Sequence, residues 1–170
     1  MNLYPHQETG IALLRDALRR GFKRPVLQLP TGAGKTKLAI AIIQGALEKG
    51  KRVAFIVDRL ELINQTSREL FAHGIDHGVI QGMHELTNYR KQVQVCSIQT
   101  MARRREQWIC DLMIIDEAHA IHTAHVNLLK RWNAIPAIGL TATPWTKGMG
   151  LVYDTLIKPV DISYLIEHGY

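Results

Sequence analysis

Leu29-Pro30-Thr31-Gly32-Ala33-Gly34-Lys35-Thr36 stands between a short apolar run, Pro25 to Leu29, and a stretch from Thr36 to Lys49 whose apolar residues recur at helical spacing. A glycine-rich turn that joins a strand to a helix and ends in Gly-Lys-Thr is the setting in which a loop wraps phosphate. Gly32 and Gly34 let the backbone turn so that successive N–H groups point inward, and the anion then rests on the positive end of the helix. Lys35 adds a full charge for the outer phosphates, the Thr36 hydroxyl is placed to hold a magnesium ion, and Pro30, Thr31 and Ala33 complete the cradle. The general pattern has a glycine five residues before Gly34, where this chain carries Leu29. A plainer reading makes the stretch a turn that caps a helix; it leaves the agreement of strand, loop, Lys35 and Thr36 without a reason.

Outward from that loop, strand-like and helix-like runs alternate along the whole chain. Arg52 to Val57, Val93 to Ser97, Leu112 to Ile115 and Ala137 to Leu140 are apolar runs bounded by Gly, Pro or charge and read, with Pro25 to Leu29, as buried strands. Gln7 to Arg20, Thr36 to Lys49 and Leu60 to Ala72 carry apolar residues three and four apart, as at Leu38, Ile42, Ile43 and Leu47, and read as helices. Such alternation predicts an α/β fold with a mostly parallel central sheet and helices on both faces. A chain of 170 residues, 46% hydrophobic and 21% charged, has room for one sizeable core, so a single domain over 1–170 is expected. The end reads differently: Trp145 to Gly150 is loop-like, and one short strand and one helix follow before Tyr170, a tail able to dock on the sheet or lead toward a second domain.

Asp111 to His119, Asp-Leu-Met-Ile-Ile-Asp-Glu-Ala-His, is an apolar strand that ends in two carboxylates. In an open parallel sheet ligands collect beyond the carboxyl ends of the strands, and the phosphate loop lies at such an end too. Phosphoryl chemistry asks for one carboxylate to hold magnesium and another to orient or deprotonate water, roles that Asp116 and Glu117 can divide. A solvated acidic pair is the bland alternative, common in isolation and rare directly behind four apolar residues.

Asp116-Glu117-Ala118-His119 resembles the signature of the DEAH-type superfamily 2 helicases, and Thr141-Ala142-Thr143-Pro144 resembles the segment that couples their nucleotide site to their nucleic-acid site. Order and spacing fit over essentially the whole chain, which looks most like the branch of type III restriction enzyme motor subunits, RadD-like helicases and their phage-type relatives. The resemblance implies a RecA-like P-loop NTPase domain, the N-terminal half of a two-domain motor that hydrolyses ATP to move along nucleic acid, with DNA favoured over RNA. ATP and magnesium would be its cofactors, the latter held through Thr36 and Asp116. It further implies that a second RecA-like domain supplies arginines over the nucleotide, a contribution of roughly 10³ to 10⁵ in rate, so the chain by itself would bind nucleotide weakly and turn over slowly.

By the same resemblance, Leu3-Tyr4-Pro5-His6-Gln7 looks like an adenine-reading segment, with Gln7 on the adenine edge and Tyr4 available for stacking; the family usually has Arg at position 4 and an aromatic at position 6. Val57-Asp58-Arg59-Leu60-Glu61-Leu62 and Ser97-Ile98-Gln99-Thr100 look like strand-contacting segments, which implies nucleic-acid contacts from Arg59, Gln99 and Thr100. His119, Thr141 and Thr143 would link the two sites. Arg59 also reads as a solvated charge at a helix start, and Ser97 or Thr100 as an ordinary helix cap.

The remaining features narrow the partners. A net charge of +6 favours an acidic partner, nucleic acid first and an anionic membrane surface second. No apolar run has the length of a membrane span and the start lacks the blocks of a signal peptide, so a cytoplasmic chain without a membrane partner is expected. Cys96 and Cys110, each in or beside an apolar stretch, predict buried thiols rather than a disulfide framework. His119, His122 and His125 recur every three residues, yet a metal site there would need further ligands and supporting groups. His73 and His77 flank Gly74 and read as loop residues. Arg103-Arg104-Arg105 is the densest basic run, either a phosphate-tracking edge, with a salt slope near −0.9 per phosphate neutralised, or a solvated loop. Two rivals remain: a small-molecule kinase or GTP switch, disfavoured by the paired Asp-Glu-Ala-His and Thr-Ala-Thr-Pro segments and the lack of Asn-Lys-x-Asp, and a non-catalytic docking module, disfavoured by intact Lys35, Thr36, Asp116 and Glu117.

Overall fold

The computed structural model describes residues 2–103, 108–144 and 146–160. Its elements in chain order are α1 (Pro5–Arg19), β1 (Pro25–Gln28), α2 (Lys35–Leu47), β2 (Val53–Val57), α3 (Leu60–Ala72), β3 (His77–Ile80), β4 (Val93–Ser97), α4 (Ile98–Arg103), β5 (Leu112–Ile115), α5 (Thr123–Arg131), β6 (Ala137–Thr141) and β7 (Thr155–Ile157). The seven strands form one sheet in the order β3-β4-β2-β5-β6-β1-β7, and every pairing in it is parallel. Parallel neighbours need long crossovers, so the helices fall on the faces and the sheet is buried from both sides, as the alternation of runs predicts.

Successive residues of a strand point to opposite faces, and the core divides accordingly. Val53, Phe55 and Val57 of β2 with Ile114 of β5 pack under α1, α2 and α3, through Leu14, Leu38, Ile43, Ile63 and Leu70. Ala54 and Ile56 with Met113 and Ile115 pack under α4 and α5, through Met101, Leu128 and Leu129. Leu38, Ile43 and Ile63 are fully shielded from solvent, each contributing about 1.5–3 kcal/mol by burial. Cys96 and Cys110 are buried free thiols, and burial pushes the Cys110 thiol up to about 12.

Three elements escape the pattern of the sequence. β3, α4 and α5 lie where no buried apolar run stands out, because His77, Gly78 and His125 occupy interior positions. The reading of His73 and His77 as loop residues holds for His73 and is corrected for His77. His73 closes α3 as its C-cap. His77 opens β3 and is buried, its Nε2 2.8 Å from Ser67 Oγ and its Nδ1 3.0 Å from the Ile75 carbonyl oxygen. The predicted helix after β7, together with Arg104, Arg105 and Trp145, lies outside the described residues; Arg103 ends α4 and is exposed. Among the described residues no helix is long and apolar enough to cross a membrane.

The environment of His77 makes a pH prediction. Burial is the leading cause that lowers its basicity, outweighing the Ile75 carbonyl and the charge of Asp76. Its folded pKa thus lies below the ordinary value of 6.5, the unfolded chain binds the extra proton, and the stability tied to neutral His77 is complete above that value and lost as pH falls through and below it. Thermal melts should therefore drop between pH 7.5 and pH 5, and His77→Gln should reduce that slope. An unchanged slope in the variant removes His77 from the account.

Candidate functional site

The carboxyl ends of β1, β5 and β6 are neighbours, because β6 lies between the other two. β1 delivers the phosphate loop, β5 the carboxylates and β6 the Thr-Ala-Thr-Pro segment, so three stretches separated in the chain share one rim. Leu29, in place of the usual glycine, has a physical reason here: its N–H donates to the Thr141 carbonyl oxygen at 2.9 Å and its side chain is wholly buried, so strand-like pairing runs one residue past β1. Gly32 and Gly34 both take positive φ, +87° and +76°. Gly34 is doubly required, since a Cβ there would stand 2.3 Å from Gln7 Nε2. Lys35 then opens α2 with a half-buried side chain, and Thr36 is exposed.

The segment at 4–7 is wired into this loop. Pro5 begins α1, where a missing N–H costs nothing, and Gln7 is fully buried. The Gln7 amide donates to the carbonyl oxygens of Ala33 and Gly34 at 3.1 and 3.2 Å and accepts the Tyr4 N–H at 3.0 Å. His6 Nε2 is 3.1 Å from the same Ala33 oxygen. Gln7 is therefore a brace for the phosphate loop in this structure. Tyr4 is 42% exposed, stacked on His6 at 5.6 Å and capped by Lys37 Nζ at 4.4 Å from its ring centroid.

At the end of β5 the Asp116 N–H donates to the Ile56 carbonyl oxygen at 3.0 Å and the Asp116 Oδ1 accepts the Glu117 N–H at 3.0 Å. The Asp116 carboxyl sits above its ordinary range, first because it is buried and then because Glu117 is negative, with the Glu117 N–H and the charge of Lys35 pulling it back. Glu117 takes φ of +48°, the sole non-glycine residue with positive φ among those described; in an L residue the left-handed region costs roughly 1–2 kcal/mol. Such strain persists where surrounding structure imposes it, often at functional sites, and nothing in the order of residues reveals it.

The predicted linking residues form a chain of contacts that ends at Glu117. His119 Nδ1 is 3.3 Å from Glu117 Oε2 and 3.0 Å from Thr141 Oγ1, and the Thr143 N–H donates to the same Thr141 oxygen at 3.1 Å. Gly139 makes this approach possible from below, because a Cβ there would lie 2.8 Å from the Ala118 Cβ. Among the described residues no three His, Cys, Asp or Glu side chains gather as a metal cluster. Two carboxylates and the Thr36 hydroxyl instead match a magnesium ion that takes one or two protein carboxylates and completes its shell with phosphate oxygens and water.

The residues expected to contact a strand lie along the rim from this centre. β2 and β4 are paired through Val57 and Ser97, so Arg59 and Gln99 leave the sheet side by side. Arg59 is the exposed residue before α3. Gln99 is exposed, with Nε2 donating to the Asp58 carbonyl oxygen at 3.0 Å and Oε1 accepting from Ser97 Oγ at 2.8 Å. Thr100 is half-buried and its N–H points at Ser97 Oγ at 3.4 Å, so Ser97 does act at a helix start.

Comparison with known proteins adds a family. The family described as Type III restriction enzyme, res subunit, matches residues 1–146. The chain is 31% identical over 147 residues to the 51.5 kDa protein of a Lactococcus phage (isolate 7-9), covering 84% of this chain and 30% of that protein. It is 29% identical over 150 residues to the DNA 3'-5' translocase XPB2 of Sulfurisphaera tokodaii, covering 85% of this chain and 33% of the relative. The chain thus spans about a third of the length of these curated relatives. Among solved structures, the UvsW helicase from bacteriophage T4 superposes with a TM-score of 0.72 at 21% identity, over 94% of this chain and 61% of that one. The Type ISP restriction-modification enzyme LlaGI, in complex with a DNA substrate mimic, superposes with a TM-score of 0.76 at 16% identity, over 99% of this chain and 21% of that one. At these identities the structures share the fold, a RecA-like α/β domain.

Proposed function

Because the chain belongs to the type III restriction enzyme res subunit family, within the superfamily 2 helicases, we propose that it is the ATP-binding half of a motor that hydrolyses ATP to translocate along DNA. One observation carries this reading: the loop that follows β1 and the Asp116-Glu117 pair that follows β5 leave one rim of the sheet on either side of β6, and Glu117 there is held in a strained conformation. Pro30 to Gly34 would wrap the phosphates with backbone N–H groups, Lys35 would neutralise the outer phosphate, and Tyr4 would offer its exposed ring to the base while Gln7 keeps the loop in shape. Thr36 and Asp116 would hold magnesium, which when bound supplies positive charge to the phosphate oxygens. Glu117 would accept a proton from, or orient, the attacking water, and His119 would report that state to Thr141 and Thr143. Arg59, Gln99 and Thr100 would contact the DNA strand.

A second RecA-like domain with arginines for the transition state is part of this proposal, supported by the coverage of only about a third of the relatives. The direct test is ligand-linked stability. ATP with magnesium at a hundred times its dissociation constant should stabilise the chain by about 2.7 kcal/mol, roughly a 5–10 °C rise in melting temperature for a domain of this size. GTP at the same concentration should give a smaller shift, and omission of magnesium should reduce that of ATP. No shift with ATP and magnesium at millimolar concentration would refute the reading, and tighter binding of an RNA than a DNA strand would change the partner.

A further inference from the structure

Asp58 stands at an unexpected place for an acid. It precedes Arg59 at the end of β2, on an edge proposed above to take the phosphates of a strand, where a free carboxylate opposes binding. Its side chain is turned inward, 19% exposed, and its Oδ2 lies 3.2 Å from Nε2 of His122. Its main-chain oxygen and Oδ1 accept from Gln99 Nε2 at 3.0 and 3.4 Å. Among the described residues it is thus a side chain bonded both to the strand-contacting edge and to the loop that leaves the carboxylate segment.

That loop is short and stiff. The Ala120 N–H donates to the Glu117 carbonyl oxygen and the Ile121 N–H to the His119 carbonyl oxygen, both at 2.9 Å, and His122 is then the residue from which α5 starts, its side chain making no cap bond. Displacement of Glu117 or His119 is therefore carried to His122 with little slack. The His125 ring packs beside that of His122 at 5.7 Å, tilted by 41°. His125 is buried with no hydrogen-bond partner at either ring nitrogen, which leaves packing against His122 as a fixed wall rather than a competing polar attachment.

The geometry points to Asp58 and His122 as a positioning pair that couples nucleotide occupancy at Asp116 and Glu117 to strand binding at Arg59 and Gln99. This rests on the nucleotide and DNA roles proposed above and goes beyond them by naming the joint between the two sites. Neither residue touches nucleotide or strand: His122 holds Asp58, and Asp58 sets the peptide from which Arg59 projects and the amide of Gln99.

The test uses the whole 170-residue chain, with affinity for a fluorescent non-hydrolysable ATP analogue plus magnesium measured with and without a saturating single-stranded deoxyoligonucleotide. The expected ratio of the two dissociation constants in the unaltered chain is about fivefold or more, the lower range of site coupling. Asp58→Asn and His122→Ala should bring it below about twofold with affinity for the analogue alone unchanged, and His122→Gln, which keeps a donor for Asp58, should retain the coupling. His122 is 57% exposed, so its truncation spares the core and decides the matter if Asp58→Asn fails to fold. Coupling that survives in His122→Ala, or no coupling in the unaltered chain, overturns the proposal while the nucleotide site stands, provided Lys35→Ala weakens analogue binding by at least roughly thirtyfold. If Lys35→Ala leaves analogue binding intact, the nucleotide site itself is misread and the coupling falls with it.

Discussion

In the full-length enzyme, Glu117→Gln is expected to lower ATP turnover by roughly 10² to 10⁴, the usual worth of a positioned general base, while leaving ATP affinity within about twofold. The substitution keeps shape and hydrogen-bonding reach and removes the negative charge that a proton or an aligned water requires. The 3.3 Å approach to His119 would be kept as a neutral hydrogen bond, so the fold should not change. A companion variant separates chemistry from strain. Glu117→Gly relieves the roughly 1–2 kcal/mol of crowding at φ +48° and loses about 0.5–1 kcal/mol to the freer unfolded chain, so it should be as stable as the parent or slightly more so and equally inactive. Single-turnover hydrolysis with thermal melts reads both; a Gln variant that hydrolyses at the parent rate removes Glu117 from the reaction.

Lys35→Ala should weaken ATP binding by at least roughly thirtyfold, corresponding to about 2 kcal/mol for a partly buried charge that faces phosphate. The same change has an effect without nucleotide. Lys35 partly offsets the burial and the Glu117 charge that raise the Asp116 carboxyl, so its removal raises that carboxyl further. A carboxyl whose folded pKa exceeds its unfolded value near 3.8 is more protonated in the folded chain, and stability declines as pH climbs from that value through the folded one. The nucleotide-free Ala variant should therefore lose stability relative to the parent as pH rises above about 4. Titration with a fluorescent nucleotide and melts from pH 4 to pH 7.5 check the two halves. Unaltered nucleotide affinity would leave the phosphate loop without its ligand.

The extent to which the site was legible follows from where each of its parts is encoded. The Gly32-to-Thr36 turn and the apolar strand before Asp116 are local patterns, because a positive φ or a run of buried side chains demands particular residues at that position. Gln7 shows the limit: the resemblance implies a contact with adenine, and it says nothing of the amide's bonds to Ala33 and Gly34, which depend on how α1 packs against the loop. His77 and His125 were illegible for a related reason, since a buried histidine inside β3 or α5 has the same letters as one in a loop, and only its neighbours decide.

By itself the sequence determined the alternation of strands and helices, the parallel α/β class, the phosphate cradle and the carboxylates at a strand end, since each is written in residues within one turn or one strand of each other. Tertiary structure alone decided that β6 lies between β1 and β5, that Glu117 is left-handed, and that Asp58 meets His122 across 64 positions. The physical reason is range: sheet order and register arise from packing summed over distant segments, and no short stretch of chain carries the energy that selects them.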